Sequence, residues 1–335
     1  MPELQKTELC IASFSIQDLM MEAVQNPAKP IMTGLFHESE TAGLHGSQES
    51  FKTIWTLQLA ESLATGSPFL NVWPVPKPQR VFFFETEMSV ASLGARVQKM
   101  FIGKNPPPNV WFASDAQLKK FRRAANLERK FALLDEWICE MRADVLILDT
   151  CNPFFRGRES ANDETVVGAF FDHMDALHVP SKLFVRHNHK PKVDDVGSEA
   201  ASRIRGSGQF ADVPDLLLEL RRLDKRLNSA ELDVTKFRHG TKPESLKIWF
   251  DTDQFRLISI PPVVEVLRRG PHSREELLAA LERRFGISQR KGDDYIKAER
   301  GWLREQNAGH KRVFEIDLER ARYEEWFGRS AIVYQ

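Results

Sequence analysis

Between residues 41 and 187, short apolar runs alternate with longer stretches whose apolar positions recur every three to four residues. The runs at 80–84, 110–113, 144–148 and 182–185 are strand-sized and apolar almost throughout, and 41–45 leads into a turn. The stretches 53–64, 90–101, 127–142 and 164–177 carry helical spacing, and the prolines at 106–108 break the chain before the run at 110. Short buried strands separated by helices pair in parallel and are covered on both faces, so the pattern predicts an α/β core with a mostly parallel sheet. From residue 215 the pattern changes to consecutive strands at 216–220, 231–237, 245–250 and 254–260, the last two forming a hairpin across 251–253. Pro261-Pro262 marks a boundary. Beyond it, 263–269, 273–285 and 288–304 read as helices and 310–316 as part of a ribbon, an order that suggests a winged helix-turn-helix. Near the N-terminus, FSIQDLMMEAV predicts a short amphipathic helix. The expected organisation is a helical extension over 1–30, an α/β domain over 31–260, and a winged-helix module with a tail over 262–335.

Composition narrows the function classes. The 335 residues are 42% hydrophobic and 28% charged, ordinary globular usage. Lys+Arg and Asp+Glu are both 47, so the chain does not bind nucleic acid by bulk charge and any such contact must use local patches. Cys10, Cys139 and Cys151 match no zinc spacing, and reduced thiols in a cytoplasmic protein are expected. The N-terminal segment lacks a basic region followed by an apolar stretch, and no apolar run approaches the roughly 20 residues that span a bilayer. No membrane association is expected.

The segment richest in chemistry is Gly46-Ser47-Gln48-Glu49-Ser50-Phe51-Lys52-Thr53. It follows the phosphate-loop spacing G-x-x-x-x-G-K-[ST] between a strand and a helix, with Phe51 where the second glycine is expected. Backbone N–H groups of such a loop converge on phosphate oxygens at a helix N-terminus. Lys52 would reach the β and γ phosphates, and Thr53 would offer a hydroxyl to Mg²⁺. A phenylalanine fits the glycine position only if its backbone there is ordinary helical and its side chain points away from the nucleotide. Asp144-Val145-Leu146-Ile147-Leu148-Asp149 is an apolar strand ending in an acid, the form in which Asp149 orients the Mg²⁺ water shell. Val81-Phe82-Phe83-Phe84-Glu85-Thr86-Glu87 delivers two carboxylates at a strand's C-terminal end, and one of them can polarise a water.

Together these segments resemble the RecA-fold hexameric helicase ATPases, with the RepA-like ATPases of plasmids, phages and mobile elements as the nearer match and DnaB-type replicative helicases as relatives. Leu59-Ala60-Glu61-Ser62-Leu63-Ala64-Thr65-Gly66-Ser67-Pro68-Phe69-Leu70 is similar to the RepA-like pattern LALALATGxPFL. Phe84-Glu85-Thr86-Glu87-Met88-Ser89 resembles the DnaB-type FSLEMS, which implies Glu87 as the catalytic glutamate. Arg186-His187-Asn188-His189-Lys190 lies where that family has a strand-end γ-phosphate sensor, implying His187. The segment from Arg205 to Asp215 resembles RESGAIEQDAD, and Lys236-Phe237-Arg238-His239-Gly240 resembles KQRNG, whose Lys and Arg reach a neighbouring subunit's nucleotide. The resemblance covers about residues 30–260. It implies ATP and Mg²⁺ as cofactors, a homo-oligomeric, hexameric ring, and single-stranded DNA in its channel. Residue alternation puts Lys236 and Arg238 on one strand face, where the other reading is a solvated face paired to Glu231 or Asp233.

The resemblance also points to DNA contacts in two loops, one with Arg156 and Arg158, the other with Lys190, Lys192, Arg203 and Arg205. In the C-terminal module, the third helix carries Arg290, Lys291, Lys297 and Arg300 with Ser288 as its cap, and Lys311 and Arg312 would form a wing. Interspersed acids leave duplex DNA and a replication protein both open as partners of this module. The leading expectation is a DNA-acting helicase or translocase. The alternative is a nucleotide-switched DNA-binding regulatory or loader ATPase that unwinds nothing.

Overall fold

The computed structural model describes residues 15–155, 160–188, 204, 206–224, 228–308 and 311–316. In chain order the elements are α1 (Ile16–Gln25), β1 (Pro30–Met32), β2 (Phe36–His37), β3 (Thr41–Gly46), α2 (Lys52–Thr65), β4 (Val81–Glu85), α3 (Val90–Met100), β5 (Val110–Phe112), α4 (Asp115–Arg122), α5 (Leu127–Met141) and β6 (Val145–Asp149). They continue as α6 (Glu164–Asp175), β7 (Ser181–His187), α7 (Gln209–Asp212), β8 (Leu216–Asp224), β9 (Ser229–Phe237), β10 (Leu246–Asp251), β11 (Arg256–Ile258), α8 (Pro262–Leu267), β12 (His272–Ser273), α9 (Arg274–Phe285), α10 (Gln289–Ala298), β13 (Leu303–Ala308) and β14 (Lys311–Ile316).

The central sheet has the order β11-β10-β9-β8-β3-β7-β6-β4-β5. Its strands are parallel from β8 through β3, β7, β6 and β4 to β5, and antiparallel at β9, β10 and β11. This is the mostly parallel α/β core that the sequence predicts. Alternation along the buried strands divides the core. Val81 and Phe83 face α2 and α3, whereas Phe82 and Phe84 join the cluster built by α4, α5 and α6. The expected hairpin is β10–β11, with Asp251 opposite Arg256.

Beyond Pro261, three helices and the three-stranded sheet β12-β14-β13 enclose a separate apolar cluster. Trp249 and Ile258 of the β10–β11 hairpin pack against that cluster. Arg284 of α9, 2% exposed, forms ion pairs with Asp251 and with Glu265 at 3.3 Å. This part is therefore bound to the edge of the main sheet. The third helix is shorter than 288–304. It stops at Ala298, and 303–308 forms a strand with six register pairs to β14, so Arg304 lies on a strand. Gly301 weakens helical continuation there by about 1 kcal/mol, and the ladder supplies the alternative backbone partners. Ser288 occupies the N-cap position of α10, but its side chain makes no capping bond.

The β1–β2 hairpin and α4 are not legible as apolar runs. A capping box does mark α4, in which Ser114 accepts from the Gln117 backbone N–H while the Gln117 side chain accepts from the Ser114 N–H. Among the described residues, no helix is long and apolar enough to cross a membrane.

Candidate active site

The loop from Gly46 to Thr53 joins the C-terminal end of β3 to the start of α2. Gly46 is required by close approach, since a Cβ there would lie 2.3 Å from the Leu220 carbonyl oxygen and 2.8 Å from Ser50 Oγ. Phe51 departs from expectation. Its backbone is left-handed, at φ 67° and ψ 15°, so it adopts the conformation a glycine would supply instead of an ordinary helical one. Its ring stacks on Phe250 at 5.3 Å between centroids, beneath the Arg222 guanidinium at 5.3 Å, and these contacts hold the bulky residue there. No side chain caps α2 at this end, so the first-turn N–H groups have no side-chain acceptor from the N-cap.

A cleft of about 440 Å³ opens over the loop, lined among others by Lys52, Thr53, Glu85, Glu87, Asp149 and His187. The expected phosphate, metal and water-activating residues thus converge. A shallower hollow of about 960 Å³ near Arg238 and Asp215 is larger, but it contains no phosphate loop, so volume alone is a poor guide here.

Lys52 is buried and donates through Nζ to the Gly46 carbonyl at 2.9 Å and the Ser47 carbonyl at 2.6 Å. Burial lowers its pKa to about 8, against the pull of Asp149 and Glu87. Asp149 is buried at the end of β6. It accepts from Thr56 Oγ1 at 3.0 Å and also from the Thr53 hydroxyl. Glu85 is its register partner on β4 and accepts from the backbone N–H groups of Glu87 and Met88 at 2.6 and 2.8 Å. Burial raises both carboxyls above their ordinary values, and the Asp149 charge adds to the rise at Glu85.

Glu87 sits beyond the end of β4. Thr150 Oγ1 and Asn152 Nδ2 each donate to its Oε1 at 2.9 Å, and His187 Nε2 lies 3.5 Å from its Oε2. The His187 contact, with help from Asn152 and Thr150, brings the carboxyl down to about 2 despite the opposing effect of partial burial. A carboxylate stabilised this strongly stays charged near neutral pH and can accept hydrogen bonds. Thr86 Oγ1 donates to the Thr150 carbonyl at 2.8 Å and accepts from the Thr150 N–H at 3.1 Å, which fixes the strand ends carrying these groups.

The residues fit a magnesium–nucleoside triphosphate. Two adjacent buried carboxyls and a threonine hydroxyl form a donor set for a hard cation, and the uncapped helix end and Lys52 suit phosphate oxygens. Thr53 and Asp149 would hold Mg²⁺, which neutralises phosphate charge when bound.

Lys236 and Arg238 lie elsewhere. Phe237 aligns with Leu216 of β8, and Leu216 with Ala42 of β3, which is the end of β3 away from the phosphate loop. Both cations donate to the Asp212 carbonyl, so they share one side of the strand as expected. Arg238 also pairs with Asp215 at 2.8 Å. Glu231 and Asp233 are not their partners, being bound to Arg221 and Lys242 respectively.

Arg156, Arg158, Lys190, Lys192, Arg203 and Arg205 lie outside the described residues, and of Lys311 only the place in β14 is described. Arg290, Lys291, Lys297, Arg300 and Arg312 are exposed, but Arg300 and Arg312 lie 3.5 and 3.6 Å from Glu305, which moderates the positive field of the strand β13–β14 side. Sequence reasoning missed Arg96, Arg222, Phe250 and Phe255, which also line the cleft. Phe250 and Phe255 flank the hairpin turn, and a pair of aromatics on such a turn is the signal that could have drawn attention to them.

Comparison with known proteins places the chain in a family and shows a shared fold. The family model described as AAA domain matches residues 5–191, more than half of the chain. The structure of a KaiC-like protein from the hyperthermophilic archaeon Pyrococcus horikoshii OT3 is similar in fold, with a TM-score of 0.51 at 13% sequence identity, over 69% of this chain and 94% of that one. None of the curated proteins matches the sequence. With its phosphate loop and strand-end acids assembled on a RecA-like sheet, the chain belongs to the AAA domain family of P-loop ATPases.

Proposed function

We propose that this ATPase works as a homo-oligomeric ring on DNA, as a RepA-like helicase or translocase with Mg²⁺·ATP as fuel. The observation that carries this reading is the position of Lys236 and Arg238 at the end of the sheet opposite their own phosphate loop. Two cations on one strand face are suited to an anionic group, and in this chain the triphosphate cleft is at the other end. A neighbouring copy's triphosphate supplies such a group, and a cation at that point stabilises the charge of phosphoryl transfer, worth ~10³–10⁵ in rate. His187 beside Glu87 supports a further element, a strand-end sensor that links γ-phosphate to the water-orienting carboxylate. The helix–strand–helix–helix–strand–strand order of 262–316 is compatible with a winged helix that takes duplex DNA or a replication protein.

The experiment combines mass measurement with ATP hydrolysis by the full chain, with and without single-stranded DNA. A ring whose hydrolysis rises with single-stranded DNA supports the proposal. A monomer with DNA-independent turnover contradicts it. The Lys52 ammonium held by loop carbonyls supports a second reading, a nucleotide-switched regulator or loader, in which nucleotide binding releases those bonds and changes DNA affinity without unwinding. A strand-displacement assay separates the two.

A further inference from the structure

Three potential metal ligands meet far from the phosphate loop. His37 closes β2, Glu40 immediately precedes β3, and His239 follows β9. Glu40 is 4% exposed, and its Oε2 accepts from the His37 backbone N–H at 3.1 Å. That bond turns Oε1 towards the two imidazoles, with His37 Nδ1 at 3.0 Å and His239 Nε2 at 2.5 Å. Neither approach has hydrogen-bond geometry. Glu40 Oε1 and His37 Nδ1 are both buried atoms that lack a hydrogen-bond partner. The two rings lie 4.9 Å apart, and the three ligand atoms are all within 4.8 Å of one another.

A buried carboxylate oxygen facing two imidazole nitrogens requires protons or a cation between them, because lone pairs otherwise oppose one another. The ion-pair contacts of Glu40 among the described residues are both to these imidazoles, so no Lys or Arg there supplies that charge. We propose that His37, Glu40 and His239 form a binding site for a divalent transition metal of the zinc class, joining the β1–β2 hairpin to the segment just past β9 that holds Arg238. Two histidines and one carboxylate are a recurrent zinc set with metal–ligand lengths of ~2.0–2.2 Å, which puts neighbouring ligand atoms about 3.3 Å apart. The observed separations, from 2.5 Å to at most 4.8 Å, bracket that spacing. The Glu40–His37 backbone bond is the kind of outer contact that orients a ligating carboxylate. His239, 33% exposed in its side chain, leaves the cluster accessible from solvent on that side.

A second cluster, Asp135, Cys139 and His178, is more open and already satisfied, since His178 Nδ1 and Asp135 Oδ2 are hydrogen-bonded at 2.8 Å. It serves as the internal control.

The test uses the full chain, freed of metal with a chelator and free of nucleotide, titrated with Zn²⁺ alone. Co²⁺ serves as the spectroscopic probe. One equivalent should bind and raise the melting temperature. His239→Ala should weaken Zn²⁺ binding at least tenfold, by ~10–100-fold or more given what even outer-contact losses cost. Glu40→Gln should do the same, but its burial makes misfolding a risk, so the partly exposed His239 is the deciding position, with circular dichroism confirming the fold. Cys139→Ser should leave binding unchanged, and the Co²⁺ spectrum should lack sulfur charge-transfer bands. Unchanged affinity in folded His239→Ala protein, binding lost with Cys139→Ser, or no binding at micromolar Zn²⁺ would each overturn the assignment.

Discussion

The ring of Phe51 lies on the ring of Phe250, centroids 5.3 Å apart at an interplanar angle of 24°, while the Phe51 backbone is held left-handed. A non-glycine residue in that conformation costs roughly 1–2 kcal/mol, and an aromatic pair returns about 0.5–1.5 kcal/mol beyond its buried area. Both Phe51→Gly and Phe51→Ala lose the ring contact, but only the alanine keeps the strain. Phe51→Gly should therefore be the more stable of the two by about 1 kcal/mol. At an ordinary helical position the order is reversed by a similar amount, so chemical denaturation of the two variants reports directly on this backbone.

Glu87 and Glu85 should separate cleanly in function. Glu87→Gln keeps a hydrogen-bonding group beside Thr150 and Asn152 but removes the charge proposed to orient water. Nucleotide affinity should stay within about threefold, whereas hydrolysis should fall by ~10²–10⁴. Filter binding and phosphate release measure the two. Normal turnover in Glu87→Gln with lost turnover in Glu85→Gln would mean that the water-orienting role belongs to Glu85.

Arg284 compensates two buried acids, Asp251 and Glu265. Arg284→Ala leaves those carboxylates without their buried cation and should destabilise the protein by about 3–5 kcal/mol. Loss of cooperative unfolding between the main sheet and residues 262–316 should accompany it. A melting temperature within a degree of the parent would contradict the coupling of these two parts.

At the opposite end of the sheet, Asp144 accepts from the Arg80 backbone N–H at 2.8 Å and from Arg80 Nε and Nη2 at 3.0 and 2.7 Å. Partial burial pushes the carboxyl up, but the Arg80 bonds together hold it below its ordinary value. A depressed carboxyl contributes stability that is complete above the unfolded-state value near 4 and is lost as pH falls through the lower folded-state value. Asp144→Asn should thus lower the melting temperature at pH 7, and its curve should converge with that of the parent in acid. A constant gap down to pH 2 would refute the ionic origin of the contact.

The parallel core was legible because its strands are apolar runs separated by helical periodicity, and the phosphate-loop residues because their spacing is fixed by chemistry. Phe51 misled for a physical reason. A sequence gives the residue but not the tertiary contacts from Phe250 and Arg222 that hold it left-handed. The partners of Lys236 and Arg238 were also hidden. Neighbouring acids on the same strand suggested Glu231 and Asp233, but the fold brings Asp212 and Asp215 alongside from a distant segment. The end of the third helix failed because a β-ladder outweighed local helix preference after Gly301.

If each active site is shared between copies of the chain, as proposed, subunit mixing should restore hydrolysis. Lys52→Ala removes a charge-assisted contact worth about 1.5–3 kcal/mol and should weaken ATP binding at least tenfold, yet it leaves Arg238 in place. Arg238→Ala does the reverse. Neither variant alone should hydrolyse ATP appreciably. Mixed at equal concentration with exchange confirmed by mass, the two should form some interfaces in which an intact phosphate loop meets an intact arginine, and hydrolysis should exceed the sum of the separate variants. A mixture that never exceeds that sum would contradict the shared site.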